Sequence, residues 1–185
     1  KFFDRIKEYC PYIFEYDMLI DSENSFPHSS GIASSASGMS AIAMCLMSLE
    51  KELNPNLTVS FLNTKASFLA RLGSGSASRS IDGPLVVWGK HSQINGSSDL
   101  YGVKLTDDIH PMFQNYQDAI LLVDKGEKQV SSTVGHDLMY NHPYAEQRFI
   151  QANENLTKLT NVLKNGDIDS FINLVESEAL TLHAM

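Results

Sequence analysis

The sequence contains few of the residues that mark disulfide-rich, membrane-spanning or nucleic-acid-binding proteins. Its 185 residues include two cysteines, Cys10 and Cys45, and neither belongs to a metal or redox motif, which favours a reducing cytosol. Fourteen basic residues against 22 acidic ones give a net charge of −8, which disfavours binding to nucleic acid and to anionic membranes. No apolar run approaches the ~20 residues that span a bilayer, and no signal peptide is visible.

Two common nucleotide-binding signatures are also missing. The sequence has neither the Gly-Lys-Ser ending of a P-loop nor the three-glycine dinucleotide fingerprint. It has instead a stretch of small residues, Ser29–Gly38, called here the first glycine-serine segment. Small residues let backbone amides approach a ligand, and a helix predicted over Met39–Leu49 would add unpaired donors and a positive dipole end. This combination favours phosphate binding, and a plain turn with helix-capping serines is the alternative.

Apolar periodicity predicts helices interleaved with strands. The Met39–Leu49 helix is expected to be buried on most sides, with Cys45 as a small buried thiol on its apolar face. Two long helices near the end, joined at Asn165–Gly166 and Asp167, predict an antiparallel pair. The pattern indicates an α+β fold, an α/β two-layer sandwich. Other predicted helices cover Lys1–Tyr9 and the residues from a Thr58 cap to Leu72. Strands are predicted at Asp17–Asp21, Leu85–Trp88 and Ala119–Asp124, and a loop or hairpin connection at Lys90–Asp99.

A second stretch of small residues, Gly73–Ser80, is called here the second glycine-serine segment. Together with the first segment and with Val130–Thr133, it makes the chain resemble the diphosphomevalonate decarboxylase family of the GHMP kinase superfamily. The family's Gly-Ser-Gly-Ser-Ala-Cys-Arg-Ser is matched at seven of eight positions of this segment, with Ser78 where cysteine is usual. The superfamily loop Pro-x-x-x-Gly-Leu-x-Ser-Ser-Ala is matched by Pro27, Gly31, Ile32, Ser34, Ser35 and Ala36.

The resemblance implies an ATP-dependent decarboxylase of the mevalonate pathway that uses Mg²⁺, and a cytoplasmic homodimer. Its catalytic residues would be Arg79 and Ser35, with Ser35 also beside the metal; a structural salt bridge is the other interpretation of Arg79. Either Lys125 or Lys128 would neutralise the phosphate, because the family's lysine pair is replaced by Glu127–Lys128, and a solvated surface lysine is the other interpretation. The residues implied for ATP are Gly31, Ile32, Ala33, Ser34, Ser35 and Ser37, and those implied for the second substrate are Ser74, Ser76, Arg79, Lys128, Ser131 and Ser132.

The resemblance also implies that residues 1–185 are the central part of a GHMP-kinase-type enzyme. A substrate-contacting amino-terminal element would precede Lys1, and the catalytic aspartate would follow Met185. Asp82 and Asp124 lie at predicted strand boundaries, where turn formation is the commoner role, and neither is assigned as the base. Trp88, at a strand end, is expected to pack on the helical layer or to line the substrate cleft. Two alternatives stay open: a kinase of the same superfamily that does not decarboxylate, and an inactive fragment.

Overall fold

The computed structural model describes residues 1–26, 32–105, 109–121 and 132–184. The chain divides into two compact units, the first built on Lys1–Leu105 and the second on most of the residues that follow. The first unit contains α1 (Phe2–Ile6), α2 (Ser34–Leu53), α3 (Val59–Gly73), β1 (Val86–Trp88) and β2 (Gly102–Lys104), with 3₁₀ turns at Pro11–Phe14 and Gly75–Ser80. The second contains a 3₁₀ turn at Pro111–Phe113 and the helices α4 (Ser132–Asp137), α5 (Ala145–Asn165) and α6 (Ile168–His183).

The core of the first unit lies between α2 and α3. Ala43, Ala66 and Ala70 are fully buried, and their small side chains let the two helix backbones approach closely. Leu46, Met47 and Leu69 fill the space around them, and Ile6, Cys10 and Ile13 pack on the same cluster from the start of the chain. The predicted burial of α2 is correct for this face only, since Met44 and Cys45 are exposed on the opposite face.

Side chains close both ends of α3, and the cap at Thr58 is the one that the sequence predicts. The Thr58 hydroxyl accepts a hydrogen bond from the Phe61 amide at 3.2 Å and begins α3. At the end of α3, Arg5 donates from Nη1 to the Leu72 carbonyl at 2.7 Å. The Arg5 contact lies beside Gly73, the residue at which α3 passes into the second glycine-serine segment.

A polar cluster is enclosed between α2, α3 and the first turns of the chain. Lys65 Nζ donates to both carboxylate oxygens of Glu50 at 2.7 and 2.8 Å, and their side chains are only 17% and 14% exposed. Tyr12 donates its hydroxyl to the same carboxylate at 3.0 Å. Burial, with the neighbouring Cys10 and Glu50, raises the pKa of Tyr12 well above its usual value. The cluster therefore keeps the phenol as a neutral hydrogen-bond donor to a charged pair.

β1 and β2 form a two-stranded antiparallel ladder, in which Trp88 pairs with Gly102. The Ser67 hydroxyl connects this ladder to α3, because it accepts from the Gly102 amide at 2.8 Å and donates to the Ser78 carbonyl at 2.6 Å. One buried hydroxyl thus joins α3, the Gly75–Ser80 turn and β2.

In the second unit α5 and α6 form the predicted antiparallel pair. Gly166 closes α5 in the left-handed region (φ 75°), and Asp167 Oδ1 accepts from the Ser170 amide at 3.0 Å to begin α6. Asn155 is buried between the two helices and donates to Glu178, which also forms an ion pair with Arg148. None of the helices in the described residues is long and apolar enough to cross a membrane.

Four expectations require correction. Asp17–Asp21 is not a strand, because no described segment pairs with it, and Leu19 is 96% exposed. Residues 119–121 are also outside any strand and exposed, and the rest of that predicted strand lies outside the described residues. The first helix ends at Ile6 instead of Tyr9. Cys45 is exposed instead of buried, because it lies on the outer face of α2.

Candidate functional site

The first glycine-serine segment passes into α2 earlier than predicted. Ala33 adopts the left-handed conformation (φ 57°), and helical structure begins at Ser34, so that Ser34, Ser35 and Ser37 lie in the first turns of α2 and not in a loop. The amides of Ala36 and Ser37 donate to the Ala33 carbonyl. The amides of Ser34 and Ser35 have no acceptor among the described residues, and the 20-residue helix places the positive end of its dipole beside them.

The second glycine-serine segment turns sharply at the end of α3. Ser74 caps the helix through its amide, which donates to Ala70, and Gly75–Ser80 then form the 3₁₀ turn. Ser78 is 1% exposed and donates its hydroxyl to the Gly75 carbonyl at 3.0 Å. The residue that departs from the family pattern is therefore an internal brace of the turn, and the serine hydroxyl serves this role.

The two glycine-serine segments meet at a pair of hydroxyl groups. Ser35 Oγ, in the first turn of α2, lies 3.2 Å from Ser74 Oγ, at the end of α3. Both side chains lie at the surface, so the contact leaves them accessible to a ligand. Residues that are 39 positions apart in the chain thus form one surface of hydroxyl groups and helix-terminal amides.

Arg79 is the fifth residue of the Gly75–Ser80 turn. Its side chain is exposed, and it forms no ion pair with any residue that the structure describes. The salt-bridge interpretation of Arg79 is therefore not realised among those residues. A guanidinium without an internal partner can bind two oxygens of an anionic ligand.

The described residues include the other predicted site residues only in part. Ile32 and Ser76 are half-buried, and Ser132 is the first residue of α4. Gly31, Lys125, Lys128 and Ser131 lie outside the described residues, as does Asp124. Asp82 is exposed beside a turn that contains Gly83 with φ 80°, which agrees with its expected role in turn formation.

Sequence reasoning did not identify the contact between Trp88 and Gly75. A Cβ built on Gly75 would lie 3.0 Å from Trp88 Cη2, so the indole packs directly on the glycine. The sequence predicts only that Trp88 packs on the helical layer or lines the substrate cleft. No sequence pattern links two residues 13 positions apart across a turn and a strand.

Comparison with known proteins decides the family. The sequence model of the diphosphomevalonate decarboxylase-like N-terminal domain matches residues 1–100. The chain belongs to this diphosphomevalonate decarboxylase-like family. The match spans both glycine-serine segments, α2, α3 and β1, so it contains the surface at which Ser35 meets Ser74.

Relatives and a solved structure agree with this assignment. The chain is 36% identical over 125 residues to a diphosphomevalonate decarboxylase of Debaryomyces hansenii, covering 68% of this chain and 30% of that protein. It is 29% identical over 177 residues to one of Ganoderma lucidum, covering 95% and 42%. It is also similar to the crystal structure of a mevalonate diphosphate decarboxylase from Legionella pneumophila, with 32% identity and a TM-score of 0.72, covering 99% and 53%.

The structural likeness confirms the predicted fold, α+β of the GHMP kinase type. The chain spans between 30% and 53% of the length of these three diphosphomevalonate decarboxylases. The family assignment therefore rests on a chain that matches only part of the length of these relatives.

Proposed function

We propose that residues 1–185 are the central part of an ATP-dependent diphosphomevalonate decarboxylase. The observation that supports this most is the 3.2 Å contact between Ser35 and Ser74, which joins the two family segments in one surface. One segment supplies helix-terminal amides suited to the phosphates of ATP, and the other supplies hydroxyls and a guanidinium suited to a second anion. A kinase or decarboxylase with two anionic substrates needs such neighbouring sites.

The proposed reaction has two stages. The γ-phosphoryl group of ATP is transferred to the 3-hydroxyl oxygen of mevalonate 5-diphosphate, which releases ADP and the hydroxyl proton. The C3–O bond then breaks and phosphate leaves with the bonding pair. The electrons of the bond between C2 and the carboxylate form the C2–C3 double bond, which releases CO₂ and isopentenyl diphosphate. Such chemistry depends on positioning and charge neutralisation more than on covalent participation of the protein.

Each segment has a defined part in this proposal. The amides of Ser34 and Ser35, which have no acceptor among the described residues, bind ATP phosphate oxygens in this proposal. Gly31, Ile32, Ala33 and Ser37 are carried over from the family pattern as further contacts to ATP. Ser74 and Ser76 bind oxygens of the second substrate, and Arg79 neutralises its negative charge. Lys128, Ser131 and Ser132 are carried over from the family pattern as further contacts to this substrate. We assign no residue of the chain as the base that accepts the hydroxyl proton.

The residues present also fit a phosphate-bound Mg²⁺. The described residues contain no cluster of three His, Cys, Asp or Glu side chains that could hold a metal by themselves. Magnesium at phosphoryl-transfer sites takes much of its coordination from substrate phosphates and water, and a Ser or Thr hydroxyl is one of its protein ligands in P-loop enzymes. The exposed position of the Ser35 hydroxyl in the first turn of α2 supports this role for it. When bound, the ion would neutralise charge on the transferred phosphoryl group.

Two substitutions test the residue roles in the complete polypeptide that contains this chain. Ser35→Ala and Arg79→Ala are each expected to lower kcat/KM by ~10²-fold or more, the scale of losing one electrostatic contact to a transition state. Arg79→Lys keeps the charge but loses the planar fork and is expected to fall between wild type and alanine. Ser48→Ala is the control, because Ser48 lies about 20 Å along α2 from Ser35 and donates only to its own helix. Full activity of Ser35→Ala or Arg79→Ala would show that the role is misassigned.

The reaction class is tested by measuring both products. With ATP and mevalonate 5-diphosphate, the proposal predicts CO₂ release in step with ADP release. A stable 3-phosphorylated product without CO₂ would instead identify a kinase of the same superfamily. Absence of ADP release with this substrate would reject both.

The proposal also covers the cellular compartment, the partners and the oligomeric state of the enzyme. A reducing cytoplasm is supported by the two free cysteines, Cys10 and Cys45. The net charge of −8 argues against nucleic acid and anionic membranes as partners. The homodimer is carried over from the family resemblance, and sedimentation velocity of the complete polypeptide tests it.

A further inference from the structure

We propose that Trp88 is a positioning residue for the second anionic substrate, acting through the Gly75–Ser80 turn. The inference rests on the proposed function, because that function gives Ser76 and Arg79 their ligand. Trp88 does not need to touch the substrate in this role. It holds the backbone from which the binding side chains project.

The turn is braced at two points. At its far end, Ser78 is tied to α3 and β2 through the Ser67 hydroxyl. At its near end, Gly75 packs on the six-membered ring of Trp88, since a Cβ on Gly75 would lie 3.0 Å from Cη2 and 3.5 Å from Cζ3. The side chains of Ser76 and Arg79 form no hydrogen bond within the described part of the first unit. Their directions are therefore set by the backbone of the turn.

The indole itself is fixed by the loop that follows β1. Trp88 Nε1 donates to the Asp99 carbonyl at 2.9 Å, and the Asp99 carboxylate accepts from the Lys90 amide at 2.8 Å. The backbone of Trp88 pairs with Gly102 in β2. The strand pairing, the ring nitrogen and the outer edge of the six-membered ring thus all restrain the residue, although it is 39% exposed.

Loosening this contact should alter binding of the second substrate before it alters chemistry. If the turn samples several conformations, only a fraction of molecules present Ser76 and Arg79 correctly, and the apparent affinity falls by that fraction. In the complete polypeptide, Trp88→Ala is expected to raise the KM for mevalonate 5-diphosphate ~10-fold, with kcat and the KM for ATP within about twofold of wild type. Phe61→Ala is the control, because it truncates an exposed aromatic on α3 and should leave both KM values unchanged.

A double-mutant cycle tests whether the ring contact itself is responsible. Gly75→Ala adds a methyl 3.0 Å from a restrained ring and should raise the same KM. Trp88→Phe shortens the side chain, so it should relieve this clash in the Gly75→Ala background. The double variant is therefore expected to have a lower KM than Gly75→Ala alone. Additive effects of the two substitutions overturn the proposal, as does a Trp88→Ala variant that loses only thermal stability while KM stays within twofold.

Hydrogen exchange separates this inference from the proposed function. Amides of residues 76–79 are expected to exchange at least ~5-fold faster in Trp88→Ala than in wild type, without substrate present, whereas Phe61→Ala should leave them unchanged. If wild type releases no CO₂ but exchange rises in this way, the proposed function fails and the bracing of the turn stands. If exchange at residues 76–79 is unchanged, the inference is wrong whatever the enzyme's activity. Should Trp88→Ala not fold, the Trp88→Phe and Gly75→Ala pair decides on the same measurements.

Discussion

Gly102 is the residue whose replacement the structure predicts to be most damaging to the site's support. A Cβ at this position would lie 2.6 Å from the Ser78 carbonyl oxygen and 2.6 Å from Val86 Cγ1. The first neighbour is backbone and cannot move without displacing the Gly75–Ser80 turn. Gly102→Ala therefore forces the strand and the turn apart, although alanine suits a strand better than glycine does elsewhere.

Two contributions set the expected magnitude. Overpacking of a well-filled interior costs about 1–3 kcal/mol. The displacement also strains the two hydrogen bonds of the Ser67 hydroxyl, to Ser78 and from Gly102, each worth about 1 kcal/mol. We expect Gly102→Ala to lower the free energy of unfolding by about 2–4 kcal/mol.

Trp88 provides the assay, because it is the sole tryptophan of the chain and pairs with Gly102. Its fluorescence during urea unfolding reports on the first unit directly. Gly38→Ala is the matched control, since a Cβ at Gly38 meets no atom within 4 Å and alanine favours the helix by up to about 1 kcal/mol. A Gly102→Ala variant within about 0.5 kcal/mol of wild type would refute the packing described for Gly102, Ser78 and Ser67.

Two further predictions concern charged groups to which no part in substrate binding is assigned. Lys65→Met leaves the Glu50 carboxylate without its ion-pair partner in a largely enclosed site, so it should destabilise the first unit by about 2–3 kcal/mol. Adding Glu50→Gln removes the unpaired charge and should recover most of this loss. Urea unfolding measures both effects, and a double variant that is no more stable than Lys65→Met would contradict the reasoning. The Ser170 amide donates to the Asp167 carboxylate and lowers the pKa of this carboxylate below its value in the unfolded chain. The ionised carboxylate therefore stabilises α6 fully above about pH 4, and this stabilisation is lost as the pH falls through the lower pKa of the folded state. Helix content measured by circular dichroism should fall with this titration in wild type and not in Asp167→Asn. Identical acid profiles of the two proteins would contradict the prediction.

Local signals in the sequence predict the helix ends well. Thr58 is predicted as a cap, and the structure confirms it. The last helix is predicted to begin near Asp167, and this residue caps α6. Gly166 ends α5 in the left-handed conformation that its residue type favours. In each case the interaction lies within one turn of helix, so no distant part of the chain decides it.

Features that depend on distant partners could not be predicted in this way. An apolar run such as Met18-Leu19-Ile20 forms a strand only if a neighbour pairs with it, and no described segment does. Cys45 is two residues from the buried Ala43 and from the buried Met47. A prediction that places the buried face of α2 slightly wrong around the helix axis therefore predicts a buried Cys45 where the residue is exposed. The meeting of Ser35 with Ser74 was not predicted, because nothing local to either segment specifies the packing of α2 against α3.

The central claim is that the first turn of α2 and the Gly75–Ser80 turn together hold two anionic substrates. A crystal structure of the complete polypeptide with a non-hydrolysable ATP analogue and mevalonate 5-diphosphate tests it most directly. The account predicts nucleotide phosphate oxygens on the amides of Ser34 and Ser35, and oxygens of the second ligand on Arg79. Both ligands bound elsewhere, with those amides and that guanidinium engaged by other parts of the protein, would contradict it.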